Sequence, residues 1–276
     1  MRPYRVRALA TLIATLASLR GPGSAHSAPP SIGRYASVNG IRLYYEVLGK
    51  GSPLLLLHGG FGDGRQFEKQ LPAFKPRHRC IVPDSRAQGR SSDGPGPVTY
   101  HQMAEDMTAL LDQLHVRRVD IMGWSDGGVI GLDLAMHHPE RVRRVVTFGA
   151  NFRADGLNQP DIDWIASATA ESLGSDVKQA YQKQNPQPEH FETAMNKVIA
   201  MWRTQPQWTP DQLRAIRARV LVGAGEHDVV RRDHSEALAH AIPKAELWVV
   251  PGASHSVMME RPDLVNSKVL EFLERK

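Results

Sequence analysis

Ser125 lies in Gly123-Trp124-Ser125-Asp126-Gly127, a G-x-S-x-G pattern. It follows a β-branched, apolar run over 116–122 and precedes a stretch over 128–136 that reads as a buried helix. A serine on a sharp strand-to-helix turn is strained but exposed, and the helix N-terminus points partial positive charge at it. The flanking glycines leave room for a tight backbone. Ser125 is therefore a candidate nucleophile. A serine hydroxyl needs a base, usually a histidine oriented by a carboxylate. Both follow in the order Ser, Asp, His. Asp228 comes just after an apolar run over 219–224, and His255 after a second one over 246–250.

A fourth element lies upstream, where the apolar run 54–57 ends in His58-Gly59-Gly60-Phe61. Such a loop can offer a backbone N–H to a tetrahedral oxyanion. Gly60 is the expected donor, with Phe61 as the alternative, and the N–H of Asp126 is its partner. The chemistry implied is acyl transfer: Ser125 attacks a carboxylic ester, and His255 takes the proton and returns it to the leaving alcohol. Asp228 fixes the imidazole tautomer. No metal or organic cofactor is needed. Phe61, Trp124, Asp126, Phe152 and Met258 are the expected substrate-pocket residues. Asp126 has two readings, as a helix-start residue that complements the helix dipole or as an anion that favours a cationic substrate.

With these motifs the chain resembles the α/β-hydrolase superfamily. Asp84-Ser85-Arg86-Ala87-Gln88-Gly89-Arg90-Ser91 is similar to that family's D-x-R-x-x-G-x-S loop, and His138-Pro139-Glu140-Arg141-Val142 to its lead into strand six. Gly-Trp-Ser-Asp-Gly-Gly with Phe148-Gly149-Ala150-Asn151 resembles the biphenyl hydrolase-like (valacyclovirase-type) esterases. The resemblance implies an α/β-hydrolase fold, a mostly parallel eight-stranded sheet flanked by helices, and a small-molecule ester as substrate; the valacyclovirase-type branch points to an α-amino-acid ester. Relatives also cleave amides, as proline iminopeptidases do, although Phe61-Gly62 stands where those carry Pro-Gly. Others hydrolyse carbon–carbon bonds, and a binding protein on a hydrolase scaffold belongs to a different class altogether.

The elements that must position these residues are readable. Runs over 35–38 and 41–47 flank Asn39-Gly40, a hairpin signal. Strands are expected at 54–57, 80–83 and 144–148, and a helix over 100–114 carries Met103, Met107, Leu110, Leu111 and Leu114 at helical spacing. Alternating strands and helices imply a covered parallel sheet. Residues 151–213 contain no convincing strand, five prolines and three tryptophans (Trp164, Trp202, Trp208), and are expected to form a helical cap. The core then spans 29–150 and 214–276, closed by a helix over 262–274.

Residues 1–28 differ. Arg2, Arg5 and Arg7 precede an apolar run over 8–19, followed by small residues. This is a secretory signal pattern, too short to span a bilayer, with cleavage expected between Ala25 and Ala28 and a periplasmic or secreted destination. The chain holds 34 basic and 29 acidic side chains; four of the basic ones and no acid lie in this leader, which leaves 30 against 29. That balance argues against a nucleic-acid partner or a stable membrane anchor. Cys80 is the only cysteine, which rules out an intramolecular disulfide, and it sits in an apolar strand. Oligomeric state leaves no signal here. His58 is expected to brace its loop, and Asp84 to hydrogen-bond within the Arg86 loop. Glu226, His227, Asp233 and His234 match no zinc spacing.

Overall fold

A computed structural model describes residues 33–275. The leader expected over 1–28 lies outside the described residues. Among those described, no helix is long and apolar enough to cross a membrane.

Eight strands form one sheet in the order β1-β2-β4-β3-β5-β6-β7-β8. They are β1 (Arg34–Val38), β2 (Ile41–Leu48), β3 (Ser52–Leu57), β4 (His78–Pro83), β5 (Val119–Trp124), β6 (Val142–Phe148), β7 (Arg219–His227) and β8 (Ala245–Ser254). β2 runs antiparallel to β1 and β4, and every other pairing is parallel. Asn39 and Gly40 take positive φ values of 43° and 80°, which is what a two-residue turn between Val38 and Ile41 demands. The longer helices are α1 (Tyr100–Gln113), α2 (Asp126–His137), α3 (Gln159–Ser167), α4 (Ser175–Gln184), α5 (Phe191–Thr204), α6 (Arg232–Ala241) and α7 (Pro262–Glu274).

The apolar runs explain the layers. In a strand, successive side chains face opposite sides. Leu55 and Leu57 therefore join one core with α1 and α2, while Leu54 and Leu56 join another with α7. All four leucines are fully buried. α1 starts at Thr99, whose hydroxyl accepts the Gln102 N–H at 3.0 Å, and it buries Met103, Met107, Leu110 and Leu111 on one face. Its last expected residue, Leu114, follows the helix as its cap. Helices α3, α4 and α5 all fall between β6 and β7, above the carboxyl ends of the parallel strands, where ligands bind in open α/β sheets.

Two strands outrun their apolar segments. β7 continues through Gly225 to His227 and β8 through Pro251 to Ser254, with an irregularity in register between Gly225 and His227. β8 is the sheet edge, where proline and a bulge are tolerated. Asp228 and His255 thus follow directly on the ends of two neighbouring strands instead of lying inside longer turns.

The Asp84–Ser91 loop is a scaffold. Asp84 accepts from Gly64 N–H and from the Arg90 backbone and guanidinium at 2.7–3.0 Å. Arg86 turns away from Asp84 and makes two 2.6 Å bonds to Asp106 of α1, with both side chains buried. Burial pushes the Asp106 carboxyl up, against the opposing pull of Arg86 and Asn39. Removing one partner strands a charge in the interior. Arg86→Ala should cost about 3–5 kcal/mol in urea unfolding, and Arg86→Met combined with Asp106→Leu should recover most of it. A loss under about 1 kcal/mol for the single variant would show that the pair is solvated.

Candidate active site

The turn after β5 is built from bare backbone. A β-carbon on Gly127 would sit 1.9 Å from the Leu57 carbonyl oxygen, and one on Gly123 2.2 Å from the carbonyl oxygen of Gly127. Ser125, between them, takes φ 52° and ψ −120°, a conformation glycine prefers. Its N–H donates to the Phe148 carbonyl at 2.7 Å, and its own carbonyl accepts from Gly128 and Val129. Both ends of the strained residue are tied down, which is the condition under which such backbone persists.

His255 Nδ1 lies 2.6 Å from Asp228 Oδ1, and both side chains are buried. Asp228 is held in turn by the Val230 N–H at 3.1 Å and the Gly225 N–H at 3.3 Å. The Asn158 side chain donates to its backbone carbonyl at 2.9 Å. Burial alone would lower the His255 pKa, but the Asp228 charge and hydrogen bond outweigh it and hold it above the ordinary histidine value. Nε2 is buried with no protein partner. Gly149 makes room for the ring: at φ 61°, a β-carbon there would lie 2.5 Å from the imidazole. Ser125 and His255 border one narrow cavity of about 50 Å³, together with Gly59, Gly60, Asp126 and Trp202.

Trp124 belongs to that wall, but its indole N–H is committed to the His255 carbonyl at 2.8 Å. It braces the histidine turn. Asp126 is buried, and its carboxylate accepts from the Tyr100 hydroxyl at 2.7 Å and from the Trp202 indole at 2.9 Å. Burial pushes its carboxyl up, opposed by those two donors. Gly60 fits under Trp202, where a β-carbon would come within 2.2 Å of the indole ring. In the same loop the Gly59 N–H goes to Gln66 Oε1 at 2.8 Å and the Gly62 N–H to the Gly59 carbonyl at 3.2 Å. His58 accepts from the Ser85 N–H through Nε2 at 2.8 Å and reaches the Gly59 carbonyl through Nδ1 at 2.7 Å; it braces the loop.

A larger cavity of about 210 Å³ shares Gly60 with the first and is bounded by Phe61, Arg65, Tyr181, Gln184, Met195 and Met259. Phe61 packs on Trp202, with ring centres 4.6 Å apart. Two expected pocket residues line neither cavity. Phe152 stacks on His234 at 4.1 Å and donates its N–H to that ring at 3.1 Å. Met258 is fully buried in the core on the α7 side, and its neighbour Met259 faces the larger cavity. One residue along a helix turns a side chain by about 100°, enough to exchange core for pocket. His227 and Glu226 are exposed, and Asp233 pairs with Arg231 at the surface, so these acids and histidines do not converge. Burial holds the His234 pKa down to about 4, and burial likewise raises the Cys80 thiol to about 12, which leaves it inert.

Tyr100, Asn158 and Gly149 went unnoticed in the sequence as site residues. Only Gly149 had a signal there, a glycine directly after a strand.

A profile of the alpha/beta hydrolase family matches residues 54–268. A protein provisionally named carbamate hydrolase RutD, from Azorhizobium caulinodans, is 28% identical over 260 residues, covering 86% of this chain and 97% of its own. One provisionally named non-heme bromoperoxidase BpoC, from Mycobacterium tuberculosis, is 29% identical over 260 residues, covering 84% and 97%. The crystal structure of a hydrolase from Pseudomonas aeruginosa superposes with a TM-score of 0.73 at 26% identity, covering 90% of this chain and all of that one. With this sheet order and this turn after β5, the chain belongs to the alpha/beta hydrolase family, and it is a hydrolase.

Proposed function

We propose that this hydrolase cleaves carboxylic esters through an acyl-enzyme, with Ser125 as nucleophile, His255 as base and Asp228 as its charge partner. The observation that carries the reading is the buried 2.6 Å bond between His255 and Asp228, in a cavity shared with a serine held at φ 52°. His255 Nε2 takes the Ser125 proton as the hydroxyl attacks the acyl carbon. The N–H groups of Gly60 and Asp126 hold the oxyanion. His255 then protonates the leaving alcohol and activates water for deacylation. The basic and apolar leader supports export to the periplasm or beyond. An amide or carbamate reaction runs through the same steps, and the similarity to RutD keeps that substrate class in the test panel.

The finer part of the proposal concerns Asp126, as in valacyclovirase-type esterases. Its carboxylate meets only neutral donors, Tyr100 and Trp202, so a cation in the cavity would find an uncompensated charge. The preferred substrate is then an α-amino-acid ester.

Ser125→Ala and His255→Ala should each cut hydrolysis of p-nitrophenyl esters by about 10⁴-fold or more, with unchanged circular dichroism. Fluorophosphonate labelling should vanish in Ser125→Ala. Substantial turnover by that variant would overturn the assignment. Parallel assays on aminoacyl amides, carbamates and vinylogous diketones decide among the alternative bonds.

Activity requires neutral His255. Because its pKa is raised, kcat/KM should climb through a limb centred above the reference value of about 6.5. Asp228→Asn removes the carboxylate that raises it, so the residual activity should show its limb at lower pH. A limb that stays in place would assign the charge partner elsewhere.

Free-amino esters should outpace N-acetylated ones by about ten- to a hundredfold, the equivalent of one charged hydrogen bond. Asp126→Asn keeps an oxygen for Tyr100 and Trp202 and should erase the preference while sparing neutral esters. Equal rates on both esters in the wild type would limit Asp126 to tying α1 and α5 to the nucleophile turn.

A further inference from the structure

Away from the active site, the α1–α2 contact brings two i,i+4 pairs face to face. α1 supplies His101 and Glu105, and α2 supplies Asp133 and His137. Asp133 Oδ1 lies 2.9 Å from His101 Nδ1 and 3.1 Å from His137 Nδ1. The three donor atoms all lie within 4.8 Å of one another. The two imidazole rings are 4.5 Å apart and tilted by 58°.

Outside the active site, Asp133 contrasts with four other buried acids. Asp84 is paired with Arg90, Asp106 with Arg86, Asp120 with Arg143 and Asp93 with Lys197. Each has a permanent cation. The Asp133 side chain is 3% exposed, and its ion-pair partners are two imidazoles instead of an ammonium or a guanidinium. A buried carboxylate ordinarily has a paired charge. Here the geometry supplies two nitrogen donors in place of a cation. Both imidazoles are open to solvent, at 55% and 47% side-chain exposure, so an ion can reach the carboxylate between them.

We propose that His101, Asp133 and His137 form a binding site for a borderline divalent cation of the zinc class, one that ties α1 to α2. Two imidazoles and one carboxylate suit such an ion, whereas calcium and magnesium select all-oxygen sets. Bonds of about 2.0 Å to a tetrahedral ion place ligand atoms about 3.3 Å apart. The separations to Asp133 are already close to that, and the remaining adjustment falls on two exposed side chains. The ion displaces the proton that His101 Nδ1 shares with the Asp133 carboxylate and the one that His137 Nδ1 shares with the Asp133 backbone carbonyl at 3.0 Å. The ring proton then sits on Nε2, which for His101 lies 4.0 Å from the Glu105 carboxylate. A carboxylate beyond the outer nitrogen is the usual support for a metal-bound imidazole. Glu105 also reaches His138 Nε2 at 2.7 Å. Water completes the coordination on the open side. The site lies two helical turns along α2 from Asp126, separate from the ester-cleaving machinery.

The test uses untagged protein freed of metal by chelation and dialysis, then titrated with Zn²⁺ by calorimetry and followed by thermal unfolding. A single site is expected, with a rise in Tm because the ion binds the folded state. His101→Gln and His137→Gln should each weaken Zn²⁺ binding at least tenfold, by analogy with the roughly 10–100-fold cost of losing even an outer-shell partner. Both should also suppress the rise in Tm. The chain has 12 histidines, so His190→Gln and His240→Gln serve as controls and should bind Zn²⁺ like the wild type. Co²⁺ should give visible absorption in the wild type that is lost in His137→Gln. Unaltered Zn²⁺ affinity in both cluster variants, or equal losses in the two controls, would overturn the proposal.

Discussion

The closest backbone approach in the site is the one at Gly127, where even a methyl group would drive into the Leu57 carbonyl. That constraint sets the rest. With no side chain at 123 or 127, the start of α2 drops against the ends of β3 and β5. The hydroxyl of Ser125 is then presented at the carboxyl end of the sheet instead of inside the core. The loop after β3 lands beside it, held by the hydrogen bonds of His58 and Gln66. Gly149 repeats the device one strand over and leaves space for an imidazole. Three absent β-carbons, on three segments, define the volume in which chemistry can occur.

Much of this was legible in the sequence because it is local. An elbow, an acid after one strand and a histidine after the next are short-range patterns, and the leucine run at 54–57 could only be a buried strand. What was hidden is what packing decides. Tyr100 and Trp202 reach Asp126 across 26 and 76 residues of chain, and Asn158 reaches Asp228 across 70. No spacing encodes those meetings. Phe152 and Met258 were misplaced for a related reason: a residue next to a functional turn is near the site, but its side-chain direction depends on the element it starts. The extra length of β7 and β8 is hidden because glycine and proline end apolar runs without ending the strands.

The buried acids sort themselves by partner. Asp84, Asp106 and Asp120 face guanidinium groups and fasten loops and strands. Asp228 faces an imidazole whose basicity it increases. Asp126 faces only a phenol and an indole. Those two donors arrive from α1 and α5, so one carboxylate beside Ser125 joins the turn after β5 to α1 and to a helix that follows β6. Tyrosine and tryptophan suit that role because each can bury a ring while offering one polar hydrogen at its end.

The backbone at Ser125 has a further consequence. A residue at φ 52° and ψ −120° occupies territory where glycine is at ease and every other amino acid carries a penalty of about 1–3 kcal/mol. Glycine at 125 would therefore make a better-behaved protein and, with Ser125 as the proposed nucleophile, an inert one. At most buried positions, drift in sequence lowers stability and function together. Under the proposed role of Ser125 they oppose each other: the folding energy of the domain holds the nucleophile uphill, and the serine stays only as long as selection acts on turnover.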